Sequence, residues 1–130
     1  MILALRTDKP NAELFLFDGH TKVDEYRWEA HRELADTLLN KISNLLDENN
    51  LTLNDLNGII IFTGEGSFTG LRIGTATANA LAYGLNIPIA ASKGEKWIEL
   101  GLENIASTKV GEFVVPEYSS EPNITRPKND

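Results

Sequence analysis

The stretch from residue 58 to residue 85 limits the fold of this chain more than any other. It begins with the apolar run Gly58–Phe62, continues through a turn with several glycines, and ends in a long alanine-rich segment. This order predicts a buried strand, a tight turn and a helix start. Glycines in the turn permit positive φ or a close backbone approach, and Ser67 or Thr69 can cap the helix. We therefore expect the rest of the chain to pack around this strand–turn–helix unit.

The glycine turn by itself leaves two interpretations open. Free N–H groups at a helix start can bind an anion, or the turn can be only a well-built connection. It is not a Walker loop, because no Lys-Ser/Thr pair follows the glycines, and the dinucleotide fingerprint fails at Thr69. The spacing alone therefore favours a structural connection over phosphate binding.

Residues 64–74 read GEGSFTGLRIG, and the predicted helix follows directly. This string resembles the GPGSFTGLRIG segment of the TsaB family, also called YeaZ. Glu65 stands where the family usually has proline, which restores a free φ and an N–H group in the turn. The resemblance covers roughly residues 1–105 and is most specific over residues 64–88.

The resemblance implies an actin-like, Hsp70-like (ribonuclease H-like) fold of the α/β class. We expect a single lobe with a mixed sheet, in which an antiparallel meander is followed by parallel strands and helices pack on the sheet. The residue patterns agree with this architecture. The predicted strands are residues 2–6, 13–17, 21–27, 58–62 and 87–91, and the predicted helices are residues 28–49, 69–85 and 94–102.

The second predicted helix carries a stripe of small residues at four-residue intervals. The stripe consists of Gly70, Gly74, Ala78 and Ala82. Such a stripe lets another helix approach closely, either within the subunit or in a partner, and the spacing favours neither. The opposite flank, with Ile73, Thr77 and Leu81, is expected to face the sheet.

The end of the first strand lacks an acidic residue where the wider superfold uses one. In that superfold the first strand leads into an aspartate that helps to hold magnesium and nucleotide. Arg6 aligns with this position, and Asp8 lies two residues further on. We interpret Arg6 as a solvated charge at a strand end, and the resemblance implies that ATP hydrolysis loses its metal ligand.

The length of 130 residues fits one domain. Ordinary members of the family continue into a second lobe, so this chain resembles a shortened member. Residues 1–105 are predicted to form the N-terminal lobe, and residues 106–130 a C-terminal segment. Within that segment we predict an added strand at residues 112–115 and a flexible tail after it.

Composition narrows the classes of partner. The formal net charge is −7, from 19 acidic and 12 basic residues, so direct binding of nucleic acid is not expected. The chain has no cysteine, which suits a reducing cytoplasm. No apolar run approaches the roughly 20 residues of a membrane span. We therefore expect a cytoplasmic protein that contacts neither membrane nor RNA.

The resemblance implies a non-catalytic scaffold or activating subunit in the formation of N6-threonylcarbamoyladenosine in tRNA. Its expected partners are the catalytic paralogue TsaD and the ATPase TsaE. No cofactor is expected in this chain, because ATP and metal would belong to the partner subunits. The first two helices, lying on one layer, would form a four-helix interface with TsaD. The predicted contact residues are Leu38, Ile42, Gly66, Ser67, Phe68, Thr69, Gly70, Leu71, Arg72, Gly74, Ala78 and Ala82.

Two other functions stay open from the sequence. One is a homodimer formed through the same helical surface. The other is a small nucleotide-binding protein of the actin-like superfold that uses the glycine loop. Mixing the chain with TsaD tests the homodimer alternative. Nucleotide titration of the isolated chain tests the nucleotide-binding alternative.

Overall fold

The computed structural model describes residues 1–64 and 68–115, without the side chains of His31 and Phe68. This part of the chain contains five strands and three α-helices, and the first three strands are consecutive. The strands are β1 (Ile2–Arg6), β2 (Asn11–Asp18), β3 (Thr21–Glu29), β4 (Gly58–Phe62) and β5 (Ile89–Ser92). The helices are α1 (Leu34–Glu48), α2 (Phe68–Leu85) and α3 (Trp97–Ile105), with short 3-10 turns at His31–Glu33 and Leu53–Asp55.

The strands form one mixed sheet in the order β3-β2-β1-β4-β5. Strands β1, β2 and β3 make an antiparallel meander, in which Ile2 is opposite Phe17. Strand β4 runs parallel to β1, with Ile2 opposite Gly58, and β5 runs parallel to β4. The predicted fold class, an antiparallel meander followed by parallel strands, is therefore confirmed.

The two faces of the sheet are covered by different helices. On one face, α1 and α2 pack side by side over Leu3, Leu5, Ile59 and Ile61. On the other face, α3 covers β4 and β5 and contributes Trp97. All five residues of β4 are buried because the strand lies between these two layers. The prediction that the first two long helices share one layer is confirmed.

Helices α1 and α2 are each followed, within two residues, by an asparagine in the left-handed region. Asn50 has a φ of 58° and Asn86 a φ of 59°. The main-chain N–H groups of the following residues, Leu51 and Ile87, return to carbonyl oxygens of the last helical turn at 2.9 and 3.0 Å. These caps satisfy helix carbonyls and turn the chain back toward the sheet.

The predicted start of α1 at residue 28 is wrong. Trp28 and Glu29 belong to β3, where they pair with Ala12 and Asn11. The indole of Trp28 donates to Oγ1 of Thr37 at 3.1 Å, so the strand end also contacts the first turn of the helix. Tertiary pairing with β2 overrides the helical pattern at this boundary.

The strand predicted at residues 112–115 is also not formed, since this segment joins no sheet. Among the described residues, β5 pairs only with β4. A groove of about 470 Å³ separates β5 from residues 112–115. The backbone of Val114 is bonded instead to the side chain of Asn79. The tail predicted to be flexible, residues 116–130, lies outside the described residues, and the division at residue 105 stays a prediction.

Strand β3 forms the other edge of the sheet and carries ion pairs on its outward face. Glu25 bonds to both Lys22 and Arg27. The bond from Lys22, followed by that from Arg27, lowers the pKa of Glu25. Charged side chains of this kind discourage pairing with the edge of another sheet.

Candidate docking face and strand ends

Arg6 and Asp8 form a closed ion pair at the carboxyl end of β1. The Arg6 Nε donates to Asp8 Oδ1 at 2.7 Å, and a terminal guanidinium nitrogen donates to Oδ2 at 3.2 Å. The guanidinium also lies 3.9 Å from the centre of the Phe62 ring. The Asp8 side chain is only 3% exposed. The interpretation of Arg6 as a solvated charge is therefore wrong, because its charge is held by Asp8 and by an aromatic face.

This pair lies at the end of β1, where the resemblance predicted that Arg6 replaces an acidic residue of the wider superfold. Both Asp8 oxygens are already bonded to Arg6, and a cation beside them opposes a second cation. No group of three or more potential metal ligands occurs among residues 1–64 and 68–115. At this edge of the sheet, Arg6 therefore binds both oxygens of the Asp8 carboxylate.

Thr7 anchors the start of α2 on the sheet. Its hydroxyl donates to the main-chain oxygen of Gly70 at 2.7 Å. One turn later Gly74 faces the same side chain, and a Cβ there would overlap the Thr7 hydroxyl. Gly74 is therefore needed for close packing of α2 on β1 rather than for contact with a partner.

The glycine turn before α2 is described only at its start. Gly64 has no positive φ, and an added Cβ would lie 2.5 Å from the Phe62 ring. Of the two possibilities that a glycine permits here, positive φ or close approach, Gly64 shows the close approach. The predicted contact residues Gly66 and Ser67, and the side chain of Phe68, lie outside the described residues. Because α2 begins at Phe68, Thr69 is inside its first turn rather than at its cap.

A cavity of about 340 Å³ opens between the start of α1 and the start of α2. Its lining includes Thr7, Thr69 and the two basic residues Lys9 and Arg32. The rest of the lining is mainly apolar, with Leu34 and Ile73. Two cations beside a helix start give this cavity a chemistry that suits an anionic group.

Most of the predicted contact residues on the helices are buried inside the lobe. Leu38, Ile42, Leu71, Gly74, Ala78 and Ala82 form the inner faces of α1 and α2. Ala78 and Ala82 belong to the core over the sheet, whereas the flank with Ile73, Thr77 and Leu81 is only partly buried. The predicted orientation of α2 is therefore wrong. The stripe of small residues serves packing within the lobe, while Thr69 and Arg72 remain exposed.

The outer face of the two helices has its own small and apolar residues, which sequence reasoning missed. On α2, Ala76, Ala80 and Gly84 recur every four residues and are exposed, and Tyr83 beside them is 76% exposed. An added Cβ on Gly84 would meet no atom within 4 Å. The same four-residue spacing that identified the buried stripe could have identified this one, but nothing in the spacing says which stripe faces the sheet.

Leu39 of α1 adds a large apolar side chain and is 55% exposed. Thr37 and Lys41 contact aromatic residues of β3, on the flank of α1 away from α2. Leu39 lies about 200° around the helix from each of them, and so on the flank nearer α2. We call Leu39, Ala76, Ala80, Tyr83 and Gly84 together the docking face.

Comparison with solved structures shows which fold this chain has. Thermus thermophilus RuvC superposes with a TM-score of 0.51 at 7% identity and covers 90% of this chain, which shows a ribonuclease H-like fold. YeaZ from Pseudomonas aeruginosa superposes with a TM-score of 0.65 at 29% identity, covering 71% of this chain and 43% of YeaZ.

The sequence comparisons decide the family. The family model of TsaD, tRNA N6-adenosine threonylcarbamoyltransferase, matches residues 28–92, half of the chain. The TsaB protein of Bacillus subtilis is 32% identical over 90 residues, which is 69% of this chain. The chain belongs to the TsaB (YeaZ) family. The TsaB protein of Escherichia coli is 27% identical over 132 residues, or 94% of this chain.

This chain matches only part of the length of the TsaB proteins. This chain covers 39% of the Bacillus subtilis TsaB and 56% of the Escherichia coli TsaB. Both relatives are named as proteins of tRNA threonylcarbamoyladenosine biosynthesis. Among the described residues of this family member, no helix combines the length and apolarity that crossing a bilayer requires.

Proposed function

We propose that this chain is a non-catalytic scaffold or activating subunit that binds a TsaD-like paralogue during formation of N6-threonylcarbamoyladenosine in tRNA. The observation that carries the proposal is the docking face, where small and apolar side chains lie exposed on two adjacent helices of a TsaB-family lobe. Large exposed apolar side chains next to small ones are typical of a surface that another protein covers.

The geometry of the docking face suits a pair of partner helices. Ala76, Ala80 and Gly84 leave little side chain above the α2 backbone, so a partner helix can approach closely. Leu39 and Tyr83 stand on either side of this shallow strip and can pack against the flanks of the approaching helix. The contact residues expected from the resemblance, Leu38, Ile42, Ala78 and Ala82, then act indirectly, by holding the two helices on the sheet.

The partner is argued from the family match. The TsaD model matches residues 28–92, which contain α1, β4, α2 and β5. A TsaD-like protein therefore carries its own version of the same two helices. Two related helix pairs meeting face to face would give a four-helix interface with approximate two-fold symmetry.

Charge favours a partner with a basic surface beside this interface. The exposed side of α1 includes Asp36, Asp47 and Glu48, and the whole chain has a net charge of −7. Complementary charge increases the rate and specificity of association more than its strength. Negative charge also argues against direct tRNA binding, so the RNA would be held by another subunit.

Catalysis is assigned to the partners. The Arg6–Asp8 pair occupies the strand end where a nucleotide-dependent enzyme of this fold would place a free carboxylate. We therefore propose that this chain needs no cofactor of its own, that ATP and metal belong to the TsaD-like and TsaE-like subunits, and that the transfer reaction takes place on the TsaD-like subunit.

The proposal is tested by mixing this chain with the TsaD-like and TsaE-like proteins of the same organism. We expect co-elution with the TsaD-like protein in size-exclusion chromatography, and modification of tRNA that depends on this chain. Absence of both co-elution and dependence would contradict the proposal. Co-elution without any dependence of tRNA modification on this chain would support the binding role and contradict the activating role.

A second candidate function follows from the cavity with Lys9 and Arg32. Two cations at a helix start could hold the phosphates of a nucleotide. Calorimetric titration of ATP into the isolated chain tests this candidate. Binding that weakens strongly in the Lys9→Ala and Arg32→Ala variants would favour it over a purely structural role for the cavity.

A further inference from the structure

Residues Glu112–Val115 lie along one flank of α2, where the side chain of Asn79 holds them. The Asn79 Nδ2 donates to the main-chain oxygen of Val114, and the Val114 N–H donates to Asn79 Oδ1, both at 2.9 Å. One carboxamide thus satisfies both polar main-chain groups of one residue, as a neighbouring strand would. We call residues 112–115 the strap.

We call the two hydrogen bonds between Asn79 and Val114 the clamp. Within the clamped segment, one apolar side chain points toward the core and its two neighbours are exposed to solvent. The Val114 side chain is partly buried against the core beneath α1 and α2. Phe113 and Val115, on either side of it, are exposed, Phe113 by 63%. Two hydrogen bonds therefore fix a segment that presents apolar side chains to water, an arrangement that packing within the lobe does not explain.

Phe113 meets Tyr83, which is a member of the docking face. Their ring centres are 6.3 Å apart and their planes are inclined by 35°. Tyr83 follows Asn79 by four residues and Ala80 by three, so it lies between the clamp and the exposed strip of small residues. The strap thereby extends the docking face by a second aromatic ring.

The chemistry of this ring pair is that of an interface anchor. Aromatic side chains dominate the energetics of interfaces, and the residues that contribute most are those fixed before binding in positions that a partner can cover. The Asn79 clamp reduces the freedom that the strap would otherwise lose on association. Continuity with Ala80 and Gly84 means that a helix lying along the strip would also cover both rings.

We propose that the strap is part of the partner-binding surface, with Tyr83 and Phe113 forming an aromatic anchor for the helices of the TsaD-like partner and Asn79 positioning it. The proposal rests on the proposed function and names a contact that the two helices alone do not supply. It assigns Phe113 to the interface and Asn79 to a positioning role.

The test measures affinity of the full chain for the TsaD-like protein by calorimetry or surface plasmon resonance. We expect Phe113→Ala to raise Kd by at least about tenfold. The matched control is Val110→Ala, an exposed apolar residue ahead of Gly111, for which we expect no change in Kd. Asn79→Ala should weaken binding in the wild-type background and add little in the Phe113→Ala background, because Asn79 acts through the strap.

Hydrogen exchange of the Val114 amide gives a readout independent of the partner. Asn79→Ala should remove protection at that amide while the thermal midpoint of the lobe moves only slightly. If wild type and Phe113→Ala bind equally, this inference is overturned and the proposed function is unaffected. If the wild-type chain does not bind at all, both fail together. Self-association of the isolated chain that depends on Phe113 would overturn the choice of partner.

Discussion

Gly74 of α2 lies directly against the side chain of Thr7 at the end of β1, with no room between them for a Cβ. The added carbon would overlap the Thr7 hydroxyl and lie 3.0 Å from both Cβ and Cγ2 of that residue. The same hydroxyl donates to Gly70 one turn earlier. The start of α2, and with it the orientation of the docking face, therefore depends on this contact.

Gly74→Ala should destabilise the lobe although alanine is the better helix former. We expect a loss of about 1–3 kcal/mol in the free energy of unfolding, because overpacking against Thr7 outweighs the gain in helix propensity. The matched control is Gly84→Ala on the same helix, where an added Cβ meets open space and a gain of roughly 0.5–1 kcal/mol is expected. Urea denaturation measures both, and equal effects in the two variants would contradict the role of Thr7.

Ala78→Leu should destabilise the isolated lobe, because Ala78 is completely buried between α2 and the sheet. The expected cost is about 1–3 kcal/mol from overpacking. Ala80→Leu is the matched control, since Ala80 is exposed on the same helix and leucine costs little helix propensity. Thermal denaturation compares the two variants. A normal midpoint for Ala78→Leu would mean that this flank of α2 is open after all.

Arg6→Ala should cost more than removal of an ordinary surface charge. It leaves the buried Asp8 carboxylate without its bidentate partner and removes the cation from the Phe62 face. We expect a loss near the lower end of the roughly 3–5 kcal/mol typical of a broken buried pair, because Arg6 retains some exposure. The double variant Arg6→Met with Asp8→Leu should recover part of this loss in chemical denaturation. A double variant no more stable than Arg6→Ala would argue against a buried unpaired charge as the cause.

The order and direction of the strands could be predicted because the residue patterns of most strands favour one arrangement. Four consecutive apolar residues in β4 indicate burial on both faces. The helical connection from β3 to β4 brings the chain back in the direction of β3, which is also the direction of β1. The end of β3 could not be predicted in the same way. Trp28 and Glu29 fit either a strand or a helix start, and only pairing with Ala12 and Asn11 decides between them.

The docking face was not predictable from periodicity. Helix α2 has small residues on two flanks, at Ala78 and Ala82 and again at Ala76 and Ala80, so spacing could not say which flank is buried. The packing of Gly74 on Thr7 fixes this rotation, and the two residues are far apart in sequence. The Asn79–Val114 clamp was equally hidden, because its pattern of hydrogen bonds exists only after the chain has folded.

The docking face is tested most directly by two exposed leucines on opposite sides of the sheet. Leu39 of α1 is 55% exposed on the docking face, and Leu100 of α3 is 47% exposed on the other side. Glutamate at either position leaves the core intact and puts one charge on the surface, so both variants should melt close to wild type. The affinity for the TsaD-like protein should fall by about tenfold or more for Leu39→Glu and stay unchanged for Leu100→Glu. Equal affinity of the two variants, or a larger loss for Leu100→Glu, would contradict binding through α1 and α2.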